Sequence, residues 1–158
     1  AFTTRMSSGM PDLTGLSISD VATASTLTLA ADTISVVNYT GAAAAACTLP
    51  AATAGTIVVY AQSKDTTGGT ATLSFDCAGS DVFATGSVIE SRGSAEVTFD
   101  TSAASETLLT FTPANAATNL FTTGSMIAFI CYEDGTYHIA SKMGGAADAT
   151  TGAFAFAS

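Results

Sequence analysis

A chain of 158 residues, 47% hydrophobic and only 11% charged, fits one domain large enough to bury a core without metals or disulfides. Thirteen acidic residues against four basic ones (Arg5, Lys64, Arg92, Lys142) give a net charge of −9. That balance argues against nucleic acid as a direct partner, because binding a phosphate backbone needs clustered Lys and Arg.

Residues 1–25 scatter apolar residues among small polar ones with no sustained period, so they are expected to form an extended arm. Ordering such a segment requires docking, and Phe2, Met6, Met10, Leu13, Leu16 and Ile18 are its candidate contact residues, toward its own domain or a neighbouring subunit. The body, residues 26–143, begins with Thr26–Leu29 and Thr33–Tyr39, which alternate apolar residues with Thr or Ser and predict two short strands or one bent one. The alanine run 41–46 is too short to hold a helix alone, and Pro50 forces Leu49 into an extended conformation, so strand and loop are expected there. The β-branched run Thr56–Gln62 and the alternating Thr70–Asp76, with Ala71, Leu73 and Phe75 inward, are read as a hairpin across the polar loop 63–69.

Ser87–Ser91 and Ala95–Asp100 predict a further hairpin, with Val97 and Phe99 inward, and Glu106–Thr112 a strand ending at Pro113. Residues 114–123 are expected to be a loop with room for one helical turn. The clearest signal is Gly124–Gly144, where two β-rich runs flank Asp134-Gly135, a pair suited to a two-residue type I′ turn. Pairing Glu133 with Thr136 would then set Tyr132 opposite Tyr137 and Ile130 opposite Ile139 on one face, and Cys131 opposite His138 on the other. The first of these strands has no polar face before Glu133, so cover on both sides is expected. Residues 144–158 are read as a short tail in which Phe154 and Phe156, alternating as in a strand, are further docking contacts. About eight short strands without an amphipathic helix predict an all-β, single-domain β-sandwich of jelly-roll-like form, with an N-terminal arm and a C-terminal tail.

Chemistry is sparsely provided. Cys47, Cys77 and Cys131 are odd in number and widely spaced, so neither a disulfide framework nor a thiolate metal knuckle is expected. His138 is the only histidine, and beside Cys131 it would superficially suggest a thiol–imidazole pair, but no orienting group or oxyanion hole accompanies it. Asp76, Asp81, Glu96 and Asp100 fall at strand ends, where turn-forming acids are the better reading than calcium ligands. The Gly-rich pieces at 67–69 and 143–145 open no helix and are turns. Asn38-Tyr39-Thr40 fits the glycosylation sequon, a pattern short enough to arise by chance. No catalytic residue, metal or cofactor is expected, and no run of about 18 apolar residues suggests a membrane span.

The passage Cys47-Thr48-Leu49-Pro50, a run of small residues to Gly55, and the β run to Tyr60 resembles a passage of tailed-bacteriophage virion β-domains, most of all capsid decoration (cement) proteins. The likeness extends as a pattern over residues 26–143, with Tyr137-His138-Ile139 standing where such domains often carry Trp. The resemblance implies a non-enzymatic homotrimer, made in the host cytoplasm, that sits on the outer capsid surface and binds the major capsid protein. Fibre and tail proteins share the passage, so a host-recognition module that binds surface glycans is the alternative. Little charge and few aromatics fit the first expectation better than the second.

Overall fold

A computed structural model of the chain describes residues 6–7, 10–11, 17–21, 26–63, 71–92, 97–112, 123–142 and 153–158. These contain strands and no helix. In chain order the strands are β1 (Met6–Ser7), β2 (Met10–Pro11), β3 (Ser17–Val21), β4 (Thr26–Thr28), β5 (Thr33–Val37), β6 (Ala45–Thr48), β7 (Ile57–Gln62) and β8 (Leu73–Asp76). They continue as β9 (Val82–Phe83), β10 (Val88–Arg92), β11 (Val97–Thr101), β12 (Leu108–Thr112), β13 (Met126–Glu133), β14 (Thr136–Lys142) and β15 (Ala153–Ala157).

Two sheets form the body, a six-stranded one in the order β3-β5-β7-β13-β14-β9 and a five-stranded one in the order β15-β12-β8-β6-β4. They pack face to face. Phe75 of β8 meets Tyr60 of β7 at 5.1 Å between ring centroids and Phe129 of β13 at 5.2 Å, so aromatic rings from both layers fill one core. The chain is an all-β sandwich.

Its winding differs from that of an antiparallel jelly roll. From β3 to β8 each successive strand crosses to the opposite sheet, so β3, β5 and β7 run parallel in one layer and β4, β6 and β8 run parallel in the other. Parallel neighbours require a crossover, and here the strand in the facing layer supplies it. Direction reverses in the second half, where β12 pairs antiparallel with β8 and β13 antiparallel with β7. The expected hairpin between Thr56–Gln62 and Thr70–Asp76 is therefore not formed. Both runs alternate as strands should, but β7 and β8 face each other across the core instead of sharing a ladder. The hairpin of β10 and β11 does form, with Arg92 paired to Val97 and Val88 to Thr101, and it lies against β14 and β15.

Two further expectations change at the termini. Residues 153–157 are not a separate tail, because β15 completes the five-stranded sheet against β12, pairing Phe154 with Phe111 and Phe156 with Leu109. Phe154 is buried with its ring 5.0 Å from that of Phe111, and Phe156 packs on the core with its ring 5.5 Å from Phe83. These two residues serve the domain's own core, since an apolar pair alternating on a strand is buried most fully by the sandwich that lacks an edge strand. Within the expected arm, Ser17–Val21 pairs in parallel with Thr33–Val37, so Ile18, opposite Ile34, belongs to a strand of the six-stranded sheet. Met6 and Met10 lie in the β1–β2 pair, while Phe2, Leu13 and Leu16 fall outside the described residues.

Candidate functional site

The connection 50–55, central to the sequence resemblance, is held against the tip of the β13–β14 hairpin. Tyr137 Oη donates to the Pro50 carbonyl at 2.9 Å. Gly135 N–H donates to Ala52 O at 2.8 Å, and Ala54 N–H donates to Asp134 Oδ1 at 2.8 Å. From the other side, Asp81 Oδ2 accepts from Ala52 N–H at 2.6 Å, and the Gly135 carbonyl accepts from Val82 N–H at 3.0 Å. Asp81 and Asp134 therefore act as acceptors for loop amides, and Asp100 Oδ2 does the same for Phe156 N–H at 2.8 Å. Of the acids expected at turns, Asp81 lies just before β9 and holds the 50–55 connection, whereas Asp100 lies within β11 and holds β15. Glu96 lies outside the described residues, and among those described no group of three or more His, Cys, Asp or Glu could hold a metal ion.

The hairpin tip corrects the expected register. Glu133 does pair with Thr136, but a bulge follows: Ile130 pairs with His138 and Phe129 with Ile139, so Cys131 and Tyr132 together oppose Tyr137. One extra residue exchanges the faces of the strand beyond it. Ile127, Phe129 and Cys131 point into the core with Tyr137, while Tyr132 is 69% exposed and Ile130 lies on the outer face. The turn is not type I′ either. Gly135 has φ +81°, but Asp134 does not share the positive φ that type I′ needs.

Cys131 and His138 are consequently separated onto opposite faces. Cys131 is buried and its thiol donates to Glu133 O at 2.9 Å, whereas His138 meets the exposed Tyr132 edge to face at 4.8 Å between centroids. All three cysteines are free and buried. Burial pushes the Cys47 thiol up to about 12 and, helped by the carboxylates of Asp81 and Asp76, the Cys77 thiol to about 12 as well. Cys131 moves in the same direction for the same first reason. Thiols held in the protonated form are poor nucleophiles, so these behave as small apolar core residues.

A buried polar chain went unforeseen in the sequence. Gln62 is buried at an inward position of β7, where its Nε2 donates to Tyr39 O at 2.6 Å and its Oε1 accepts from Tyr60 Oη at 2.8 Å. Tyr39 Oη in turn donates to Ala71 O. Burial raises the Tyr39 hydroxyl to about 12 and that of Tyr60 further. The available signal was the alternation itself, which puts Gln62 on the same face as Val58 and Tyr60. Paired in this way, the amide and both hydroxyls tie β7 to the segment after β5 and that segment to the one before β8, rather than forming an open site.

Across β5, β7 and β13 the outer face of the six-stranded sheet is apolar, and β14 adds His138, Ala140 and Lys142 beside it. Register aligns Ile34 with Val59 and Ala128, and Ile57 with Ile130, while Met126 at the end of β13 is 36% exposed. Of the cover expected on both sides of β13, the core supplies one, over Ile127 and Phe129, while Ala128 and Ile130 face outward and are half-buried. Among the described residues no helix is long and apolar enough to cross a membrane. Comparisons with protein-family models, curated proteins and solved structures find no match.

Proposed function

We propose that this chain is a virion structural protein that binds the outer surface of a bacteriophage capsid and strengthens contacts between major capsid subunits. The observation that carries this reading is the apolar outer face of β5, β7 and β13, from half-buried Ile34 and Ile57 across to half-buried Ala128 and Ile130 and exposed Met126, on a domain whose thiols are buried and whose carboxylates hold loops. Such a face gains free energy when covered, and low charge density keeps the accompanying desolvation inexpensive. The likeness of the Thr48-Leu49-Pro50 to Tyr60 passage to phage decoration proteins supports the same reading, and self-association as a trimer accompanies it. Ser17–Val21 is paired with the body, so a strap would be confined to residues 1–16.

Co-sedimentation with undecorated capsids tests this proposal. The wild-type chain should pellet with the shells, and Met126→Glu combined with Ala128→Glu should weaken pelleting while the circular dichroism spectrum stays unchanged. Equal pelleting of that variant would remove the sheet face from the reading, and absence of pelleting by the wild type would remove capsid binding altogether. A second reading, a fibre or spike module that binds glycans, is favoured by exposed Tyr132 stacked edgewise on His138 next to exposed Glu133, because sugar sites combine an aromatic platform with carboxylates. Imaging of particles carrying labelled chain separates the two. Label over the whole shell supports decoration, and label confined to vertices or tail supports the fibre module.

A further inference from the structure

The chain contains one Asp-Gly pair, Asp134-Gly135, at an exposed hairpin tip. Such pairs are prone to an intramolecular rearrangement. After the Asp134 carboxylate takes a proton from solvent, the Gly135 nitrogen attacks Cγ, the N–H hydrogen and the carboxyl OH leave as water, and a five-membered succinimide forms; water then reopens the ring at either carbonyl, and the new carboxyl group returns the proton. Reopening at the main-chain carbonyl leaves isoaspartate, in which the backbone runs through Cγ and is one methylene longer. One water leaves and one returns, so neither an oxidant nor a cofactor is required.

Both reacting groups are engaged by the same short loop. The attacking nitrogen donates its hydrogen to Ala52 O at 2.8 Å, and the carboxylate accepts from Ala54 N–H at 2.8 Å. The loop is itself fastened by Asp81 Oδ2 on Ala52 N–H at 2.6 Å and by Gly55 N–H on Cys131 O at 2.8 Å. Ring closure requires Asp134 to swing onto the Gly135 nitrogen, and that movement breaks both hydrogen bonds at once. We infer that Asp134-Gly135 is a latent isoaspartate site that the 52–55 loop holds closed in the folded chain, so that the modification marks chains that have opened at this tip. The product would in turn be locked out, since an added methylene between Glu133 and Thr136 disrupts their pairing and the Val82 N–H to Gly135 O bond.

The test is isoaspartate at Asp134, quantified by peptide mapping after incubation at pH 7.4 and 37 °C. Wild-type protein should accumulate it at least about tenfold more slowly when folded than in denaturant, the scale set by losing hydrogen bonds to a charged group. The decisive variant is Ala54→Pro. Thr56 N–H donates to Thr53 O and Gly55 has φ +90°, a type II pattern in which Ala54 occupies the position that favours proline. This substitution removes the N–H bound to Asp134 and keeps the turn. It should raise the folded-state rate by about three- to tenfold, the worth of one partly exposed bond of that kind. Asp81→Ala, which frees the loop from its other side, should raise the rate too and serves if the proline variant fails to fold. Equal rates in folded and denatured wild type, or an unchanged rate in a variant that melts cooperatively, would overturn the inference.

Discussion

Replacing Phe154 with alanine distinguishes a C-terminal strand that completes this domain from a tail that docks elsewhere. Phe154 is only 5% exposed, pairs with Phe111 across the β12–β15 ladder and stacks on its ring at 5.0 Å. Truncating a buried Phe to Ala costs about 3–5 kcal/mol through lost transfer energy and the cavity left behind. β15 lies at a sheet edge, where relaxation is easier, so the lower end, about 3 kcal/mol, is expected, of which roughly 0.5–1.5 kcal/mol belongs to the aromatic pair. For a chain of this size that corresponds to a fall in Tm of about 6–12 °C. Phe156, only partly buried against Phe83, should lose about 1–2 kcal/mol on the same substitution. The assay is thermal and urea unfolding followed by circular dichroism at two protein concentrations about tenfold apart. A Phe154→Ala variant melting within about 1 °C of wild type would refute the placement of β15 in the core. So would a loss that vanished on dilution, because the burial would then occur between molecules.

Gly135→Val should destabilise by about 1–3 kcal/mol through the positive φ alone, since a Cβ there would meet nothing closer than Asp81 Oδ1 at 3.9 Å; an unchanged urea midpoint would show that the backbone relaxes without cost. Tyr137→Phe leaves the Pro50 carbonyl without its donor and should cost about 1–2 kcal/mol in the same measurement, with the far-ultraviolet spectrum preserved. Stability should fall as the solution is made alkaline. Burial holds the protons of Cys47 and Cys77 to about pH 12 in the folded chain, against about 9 for an exposed thiol, so their contribution is whole below about 9 and is lost as pH rises toward 12. Urea midpoints that stay constant from pH 8 to 11 would contradict it. Thiol-reactive dye at pH 8 should label the native protein slowly and the urea-unfolded protein rapidly, because all three thiols are buried.

Alternation of apolar residues with Thr and Ser was sufficient to establish an all-β chain, because period two is a local property that each strand carries by itself. It located most strands and put Leu73 and Phe75 in the core, where they lie. It also showed that the β13 strand is apolar on both faces. Pairing was not local. A run such as Thr56–Gln62 reads identically whether its neighbour in the ladder is the next strand or the next but one, and only the tertiary structure decided that consecutive strands alternate between layers. The tip of the β13–β14 hairpin shows the same limit at the scale of one residue. Asp134-Gly135 announced the turn, but the bulge at Cys131 and Tyr132 exchanged the faces beyond it, sending Tyr132 to solvent and parting Cys131 from His138. That bulge arises where the 52–55 loop and Val82 are fastened to the tip, through residues about 80 and 50 positions away in the chain, and long-range contacts of this kind leave no periodic trace in a sequence. Phe154 and Phe156 followed the same rule: their alternation announced a strand, and only the open edge beside β12 determined what it would complete.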